Sequence, residues 1–146
     1  MMIRLLCEED YPQWLSLWQD YLAFNHQTLA LSITQHTWKN LTQSEVLKAW
    51  GAFSNTGELL AFIHIVKHPH TWSDRHCIYI EDLFVVASAR RQGIARQLIE
   101  TVYAYAKEHQ CHRVYWVTGA NNIQAQGLYS TLATKMDMIQ YRKVVE

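Results

Sequence analysis

The chain has 146 residues, 49% of them hydrophobic and 18% charged, which excludes a disordered chain and suits one domain, 1–146, around one core. Thirteen basic residues balance thirteen acidic ones, so neither a nucleic-acid coat nor a polybasic membrane anchor is expected. The three cysteines, Cys7, Cys77 and Cys111, are widely spaced with no Cys-x-x-Cys. Reduced thiols in a cytoplasmic protein are the expectation. The N-terminus turns acidic at Glu8-Glu9-Asp10, too soon for a signal-peptide core or a membrane span.

In chain order, Ile3 to Cys7 reads as a short strand. Asp10 can cap a helix with Pro12 in its first turn. On that helix Trp14, Leu17, Trp18, Tyr21 and Leu22 fall on one face. A second, shorter helix is expected over Ser32–Leu41, anchored by Ile33 and Trp38. Val46–Phe53 and Leu59–Val66 read as a hairpin joined by Asn55-Thr56-Gly57, where Asn and Gly tolerate positive φ. His76–Val86 is a further strand, rich in Ile, Tyr, Val and Phe. A helix to about His109 follows, with Ile94, Leu98, Ile99, Val102 and Tyr105 on one face. Arg113–Thr118 reads as a strand, Asn122–Leu132 as a helix and Met138–Val145 as a last strand. The order β-α-α-β-β-β-α-β-α-β describes a mixed α/β layer fold with a mostly antiparallel sheet flanked by helices.

The stretch with the clearest chemistry is Arg90-Arg91-Gln92-Gly93-Ile94-Ala95, between an apolar strand and an amphipathic helix. The first N–H groups of a helix lack intrahelical partners and sit at the positive end of its dipole, so such a turn suits a phosphate. Gly93 permits close approach of the backbone, and Arg90, Arg91 and Arg96 add charge. The spacing excludes a P-loop and a dinucleotide Gly-x-Gly-x-x-Gly fingerprint, and the chain has only five glycines. His68-Pro69-His70 with His76 suggests a metal at first sight. No cysteine or carboxylate cluster joins them at ligand spacing, so loop or edge histidines and no metal are expected.

Arg-x-x-Gly-x-Ala resembles the pyrophosphate-binding motif of the GCN5-related N-acetyltransferases. Asn122-Ile-Gln-Ala125-Gln-Gly-Leu128-Tyr129 is similar to the next signature of that superfamily, Asn-x-x-Ala-x-x-Leu-Tyr. The strand Tyr79-Ile80-Glu81-Asp82-Leu83-Phe84-Val85-Val86 looks like the corresponding strand of polyamine-type members. Val114-Tyr115-Trp116 and Ile139–Lys143 resemble the yeast subfamily that acetylates histones, polyamines or D-amino acids. Three ordered motifs are far more specific than one. One departure stands at Thr134-Lys135-Met136-Asp137-Met138, where many members have Gly-Phe.

The resemblance implies an N-acetyltransferase that uses acetyl-CoA, with a small-molecule primary amine as acceptor, a homodimer in many small members, and no nucleic-acid or membrane partner. A protein lysine or N-terminus is the alternative acceptor, and a non-catalytic acyl-CoA-binding module the alternative class. By the same resemblance Arg91, Gln92, Gly93, Ile94, Ala95 and Arg96 surround the pyrophosphate. The main chain of Phe84, Val85 and Val86 meets the pantetheine arm as an added strand would, one N–H polarising the thioester carbonyl. Tyr129 is the candidate general acid for the leaving thiolate. Asn122, with Ala125, either contacts the cofactor or caps its helix. Glu81 is the candidate cation anchor and base through water, with Asp82 pointing to the other face of a regular strand. Trp72, near a turn, is a candidate for the acceptor site or a subunit contact.

Overall fold

The computed structural model describes residues 1–146, which fall into two compact units, Met1–Trp116 and Val117–Glu146. The first unit runs β1 (Met2–Leu5), α1 (Tyr11–Phe24), α2 (Leu31–Gln43), β2 (Leu47–Phe53), β3 (Leu59–His68), β4 (Cys77–Val85), α3 (Ile94–Glu108) and β5 (Arg113–Tyr115). The strands form one sheet in the order β1-β2-β3-β4-β5. The first three pairings are antiparallel and β4–β5 is parallel. A parallel neighbour needs a crossover, and α3 supplies it.

Strand alternation divides the core into two faces. Trp50 meets Tyr105 of α3 edge-on, with ring centroids 5.2 Å apart. It pairs with Ile63, which pairs with Leu83, so these side chains mark the α3 face. There Leu98, Ile99 and Val102 of α3 are fully buried, as are Ile63, Ile65 and Ile78 of the sheet. On the other face Trp14, Leu17 and Trp18 of α1 and Trp38 and Leu41 of α2 pack with Ala49, Phe53, Phe62 and Phe84.

The predicted face of α1 holds: Trp14, Leu17 and Trp18 are buried, and Tyr21 and Leu22 pack at the margin. The predicted phase of α2 does not. Ile33 is exposed, and the inward positions are Thr34, Trp38 and Leu41, spaced i, i+4, i+7. Thr34 is held inside because its Oγ1 accepts from the Trp18 indole N–H at 3.2 Å. A satisfied hydroxyl therefore takes the place that hydrophobicity alone would give to isoleucine.

The second unit contains α4 (Ile123–Tyr129), which stops three residues short of its predicted end. The expected strand over Met138–Val145 is not formed. Residues 134–146 carry no helix or strand, and Met138, Ile139, Tyr141, Val144 and Val145 are exposed. A strand-like pattern becomes a strand only when a neighbour completes its hydrogen-bond ladder, and no strand of this chain pairs with that segment.

Candidate active site

β5 pairs with β4 only from Cys77 to Tyr79, whereas β3 accompanies β4 through Val85. From Ile80 onward β4 therefore has one open backbone edge in its sheet, a natural place for an extended ligand to add as a strand. The Val86 N–H donates to the Leu60 carbonyl at 2.9 Å, committing that amide to the β3 side. Because backbone groups alternate along a strand, Phe84 shares its direction, and Leu83 and Val85 turn theirs to the open edge. Leu83 was not anticipated from the sequence. The signal that finds it is pairing parity with β3, which a single strand does not carry.

The alternation is broken once. His64 pairs with Asp82 and Ile65 with Ile80, so Glu81 is an extra residue on β4, a β-bulge. Ile80 lies on the α3 face opposite Ile65, while Asp82 joins His64 on the α1 side. Two residues that a regular strand would put on the same face are thus separated. Glu81 itself is exposed.

Asp82 belongs to a network that the sequence reading missed. Its Oδ2 lies 2.8 Å from Nδ1 of His64, and the opposite ring nitrogen, Nε2, accepts from the Trp14 indole N–H at 3.0 Å. His64 is 2% exposed. Burial first, and the Asp82 charge second, push the Tyr21 phenol far above the usual range, so it stays protonated. The only sequence signal was a histidine in the middle of an otherwise apolar strand.

Beyond β4 the chain turns through Arg90–Gly93 into α3. Arg91 and Gly93 both have positive φ, 62° and 77°. A Cβ at Gly93 would meet nothing within 4 Å, so the space above this backbone is open to a ligand. The first i→i−4 bond of α3 runs from the Gln97 N–H to the Gly93 carbonyl, leaving the donors ahead of it at the helix mouth. Unsubstituted backbone at positive φ, open space and helix-start donors fit a pyrophosphate. The cations are less concentrated than expected. Arg90 folds back, its Nε donating to the Val85 carbonyl at 3.1 Å and its guanidinium over the Phe24 ring. Arg96 lies 4.0 Å from Glu100 one turn along the helix.

Trp72 is 87% exposed in the β3–β4 connection, its ring edge-on to His70. That connection and the Gly93 turn lie at opposite ends of β4, a nine-residue strand of about 30 Å. The structure therefore does not bring Trp72 to the Gly93 turn. His68 Nε2 lies 2.7 Å from the Tyr115 hydroxyl, and His70 stacks on His112. No group of three or more His, Cys, Asp or Glu side chains is arranged to hold a metal ion. A cavity of about 510 Å³ beside the C-terminal half of α3 is lined by Trp50, Tyr105, His109, Glu45, Lys48 and Lys67 among others. It includes none of the candidate site residues.

In the second unit the Asn122 Oδ1 accepts from the Ala125 N–H at 3.3 Å, so Asn122 caps α4. Tyr129 closes that helix, half-buried, and burial raises its phenol pKa.

A mixed sheet that parts after Tyr79 and a glycine turn from β4 into α3 are the features that the comparisons with known proteins place. Residues 3–133 match the family model described as "Acetyltransferase (GNAT) family", and the chain belongs to that family as an N-acetyltransferase. It is 32% identical over 146 residues to the D-amino-acid N-acetyltransferase HPA3 of Saccharomyces cerevisiae, covering 98% of this chain and 90% of the relative. Among solved structures, the ribosomal-protein-alanine N-acetyltransferase of Brucella melitensis superposes with a TM-score of 0.80 at 21% identity, over 99% of this chain and 100% of that one. AAC(6')-Iy in complex with a coenzyme A bisubstrate analogue superposes with a TM-score of 0.83 at 20% identity, over 99% and 98%. Acetyltransferases of this family use acetyl-CoA as donor.

Proposed function

We propose that this N-acetyltransferase transfers acetyl from acetyl-CoA to a primary amine of a small molecule, a polyamine, diamine or amino acid, by direct attack in a ternary complex. The observation that carries this reading is the bulge at Glu81. It sets two adjacent carboxylates on the strand whose far end leads into the Gly93 turn, next to backbone able to bind an extended arm. Acidic groups there favour a cationic acceptor.

In this reading the donors of the Gly93–Ala95 turn hold the pyrophosphate, and the open-edge amides of Leu83 and Val85 bind the pantetheine arm. One of those amides polarises the thioester carbonyl. Glu81, through water, takes the proton that the acceptor ammonium must lose. The amine nitrogen then bonds to the carbonyl carbon, the C–S bond breaks with the sulfur leaving as thiolate, and the nitrogen gives up its second proton to solvent as the neutral amide forms. Tyr129 is the proton donor we assign to that thiolate; its phenol is protonated at neutral pH, and burial raises its pKa further. The 146 residues are read as one catalytic domain.

The test is release of free coenzyme A thiol from acetyl-CoA in the presence of polyamines, D- and L-amino acids and lysine peptides. Release that depends on a small amine is the expected result. Release with the lysine peptides alone would replace the acceptor class, and binding of acetyl-CoA without release for any amine would overturn the reaction.

A further inference from the structure

His64 is buried and titratable, and the reaction outlined above does not use it. Its surroundings leave its ring little freedom. The Trp14 indole is a donor only, so at 3.0 Å it requires a lone pair on His64 Nε2. The ring proton then sits on Nδ1, which points at Asp82 Oδ2 2.8 Å away. The ring also stacks on Phe62, with centroids 4.4 Å apart and planes 14° from parallel, so rotation would cost both hydrogen bonds and the stack. Asp82 thus sits at the end of a bonded chain, Trp14–His64–Asp82, rooted in the aromatic core. Its side chain retains 15% exposure, directly beside the bulge residue Glu81.

A carboxylate held by a buried donor is a fixed point on the strand. The bulge explains why it is available. Were the ladder regular, with Glu81 rather than Asp82 opposite His64, Asp82 would fall with Ile80 on the aliphatic α3 face. The bulge and the histidine are therefore complementary: one turns the carboxylate toward α1 and the other holds it there.

We propose that His64 is a positioning residue for the acceptor, holding the Asp82 carboxylate through its Nδ1–H so that the carboxylate can receive the acceptor's ammonium group. The inference rests on the amine-transfer reading above. It gives Asp82 the binding role and leaves Glu81 the proton.

The test has two independent arms on the full chain. In the first, ¹⁵N-labelled histidine is observed by NMR, with the His64 signals assigned by their loss in His64→Asn. The expected pattern is a protonated Nδ1 and an unprotonated Nε2 at neutral pH; a protonated Nε2 would overturn the proposal even if no variant could be purified. In the second arm, His64→Leu should raise the acceptor KM about ten-fold, the size of one lost hydrogen bond to a charged group, with the acetyl-CoA KM held within about two-fold. His64→Asn, whose amide can still donate to Asp82, should recover part of that loss. His64→Leu should add little in an Asp82→Asn background. An unchanged acceptor KM in folded His64→Leu, or equal changes for both substrates, would refute the role. If the wild-type protein uses no amine, the transfer reading falls and takes the acceptor role with it. A wrong tautomer overturns the His64 assignment alone.

Discussion

The two faces of the sheet differ in kind. Under α3 the buried side chains are Ile63, Ile65, Ile78, Leu98, Ile99 and Val102, with no polar atom to satisfy. Under α1 and α2 they are Trp14, Trp18, Trp38, Phe62 and Phe84, and the buried polar side chains His64 and Thr34 each accept from an indole N–H. Aliphatic residues fill space and leave no choice of partner; indoles fill space and also aim a donor. The α3 face therefore provides a rigid base for the helix that carries the Gly93 turn. The α1 side instead carries directional bonds, one of which runs from Trp14 through His64 to Asp82. Under the proposed function the difference becomes a division of labour: donor binding rests on the first face and acceptor binding on the second. Substitutions on one face should then spare the other substrate.

The largest expected effect is at the helix mouth. Gly93→Glu should abolish coenzyme A binding by titration calorimetry. It places a carboxylate in the open space over the turn and forces an L-residue to φ near +77°, a strain of roughly 1–2 kcal/mol before charge is considered. Retained affinity would move the pyrophosphate elsewhere. Glu81→Gln is the converse case. It should leave acetyl-CoA binding intact and cut turnover of cationic amines by about 10²-fold or more, the usual contribution of a general base. A uniform loss across charged and uncharged acceptors would point to the bulge as structural rather than chemical. Next in size, Leu98→Ala opens a hole beneath α3 and should cost about 2–5 kcal/mol of unfolding free energy in urea. Folded Leu98→Ala should keep the wild-type acceptor KM; a raised one would break the division between faces.

How much of this was legible before the structure depends on what each feature needs. The faces of α1 and α3 need only their own residues, and Trp14, Trp18, Leu98 and Val102 fall inside as spacing requires. The hairpin at Asn55-Thr56-Gly57 is equally local, with Gly57 at φ 85°. Gly93 could be picked out as a turn residue because it lies between a strand and a helix, and it has φ 77°. Features that require two segments at once were not readable. The bulge at Glu81 exists only in the register between β3 and β4. The same pairing decides that Leu83 and Val85, not Phe84 and Val86, turn their amides outward. The segment Met138–Val145 has the composition of a strand and lacks a partner. In α2, Thr34 displaced Ile33 from the interior because Trp18 offered it a bond, which no hydropathy pattern within α2 contains.

The smallest effect expected is at the entrance to α1, which sets where Trp14, Trp18 and Tyr21 stand. Arg4 donates to both oxygens of Asp10 at 2.7 and 2.9 Å, and Asp10 Oδ2 accepts from the Cys7 N–H at 2.8 Å. The Arg4 hydrogen bonds are the main cause that brings the Asp10 pKa from 3.8 down to about 2; burial opposes the shift, and the Cys7 N–H adds to it. A carboxylate depressed in the folded state stabilises above its unfolded pKa and loses that contribution as pH falls through its folded one. The advantage should therefore be complete above about pH 5 and decline toward pH 2. Asp10→Asn keeps an oxygen for the Cys7 N–H and loses the charge. With Arg4 partly exposed to solvent, it should cost about 1–2 kcal/mol at pH 7. The difference between variant and wild type in urea should narrow steadily on acidification, and a gap independent of pH would mean that Asp10 acts by shape instead of charge. The acceptor KM of Asp10→Asn reads the comparison itself: a change there would mean that the indole of Trp14 moves when the start of α1 loosens, and with it the ring of His64.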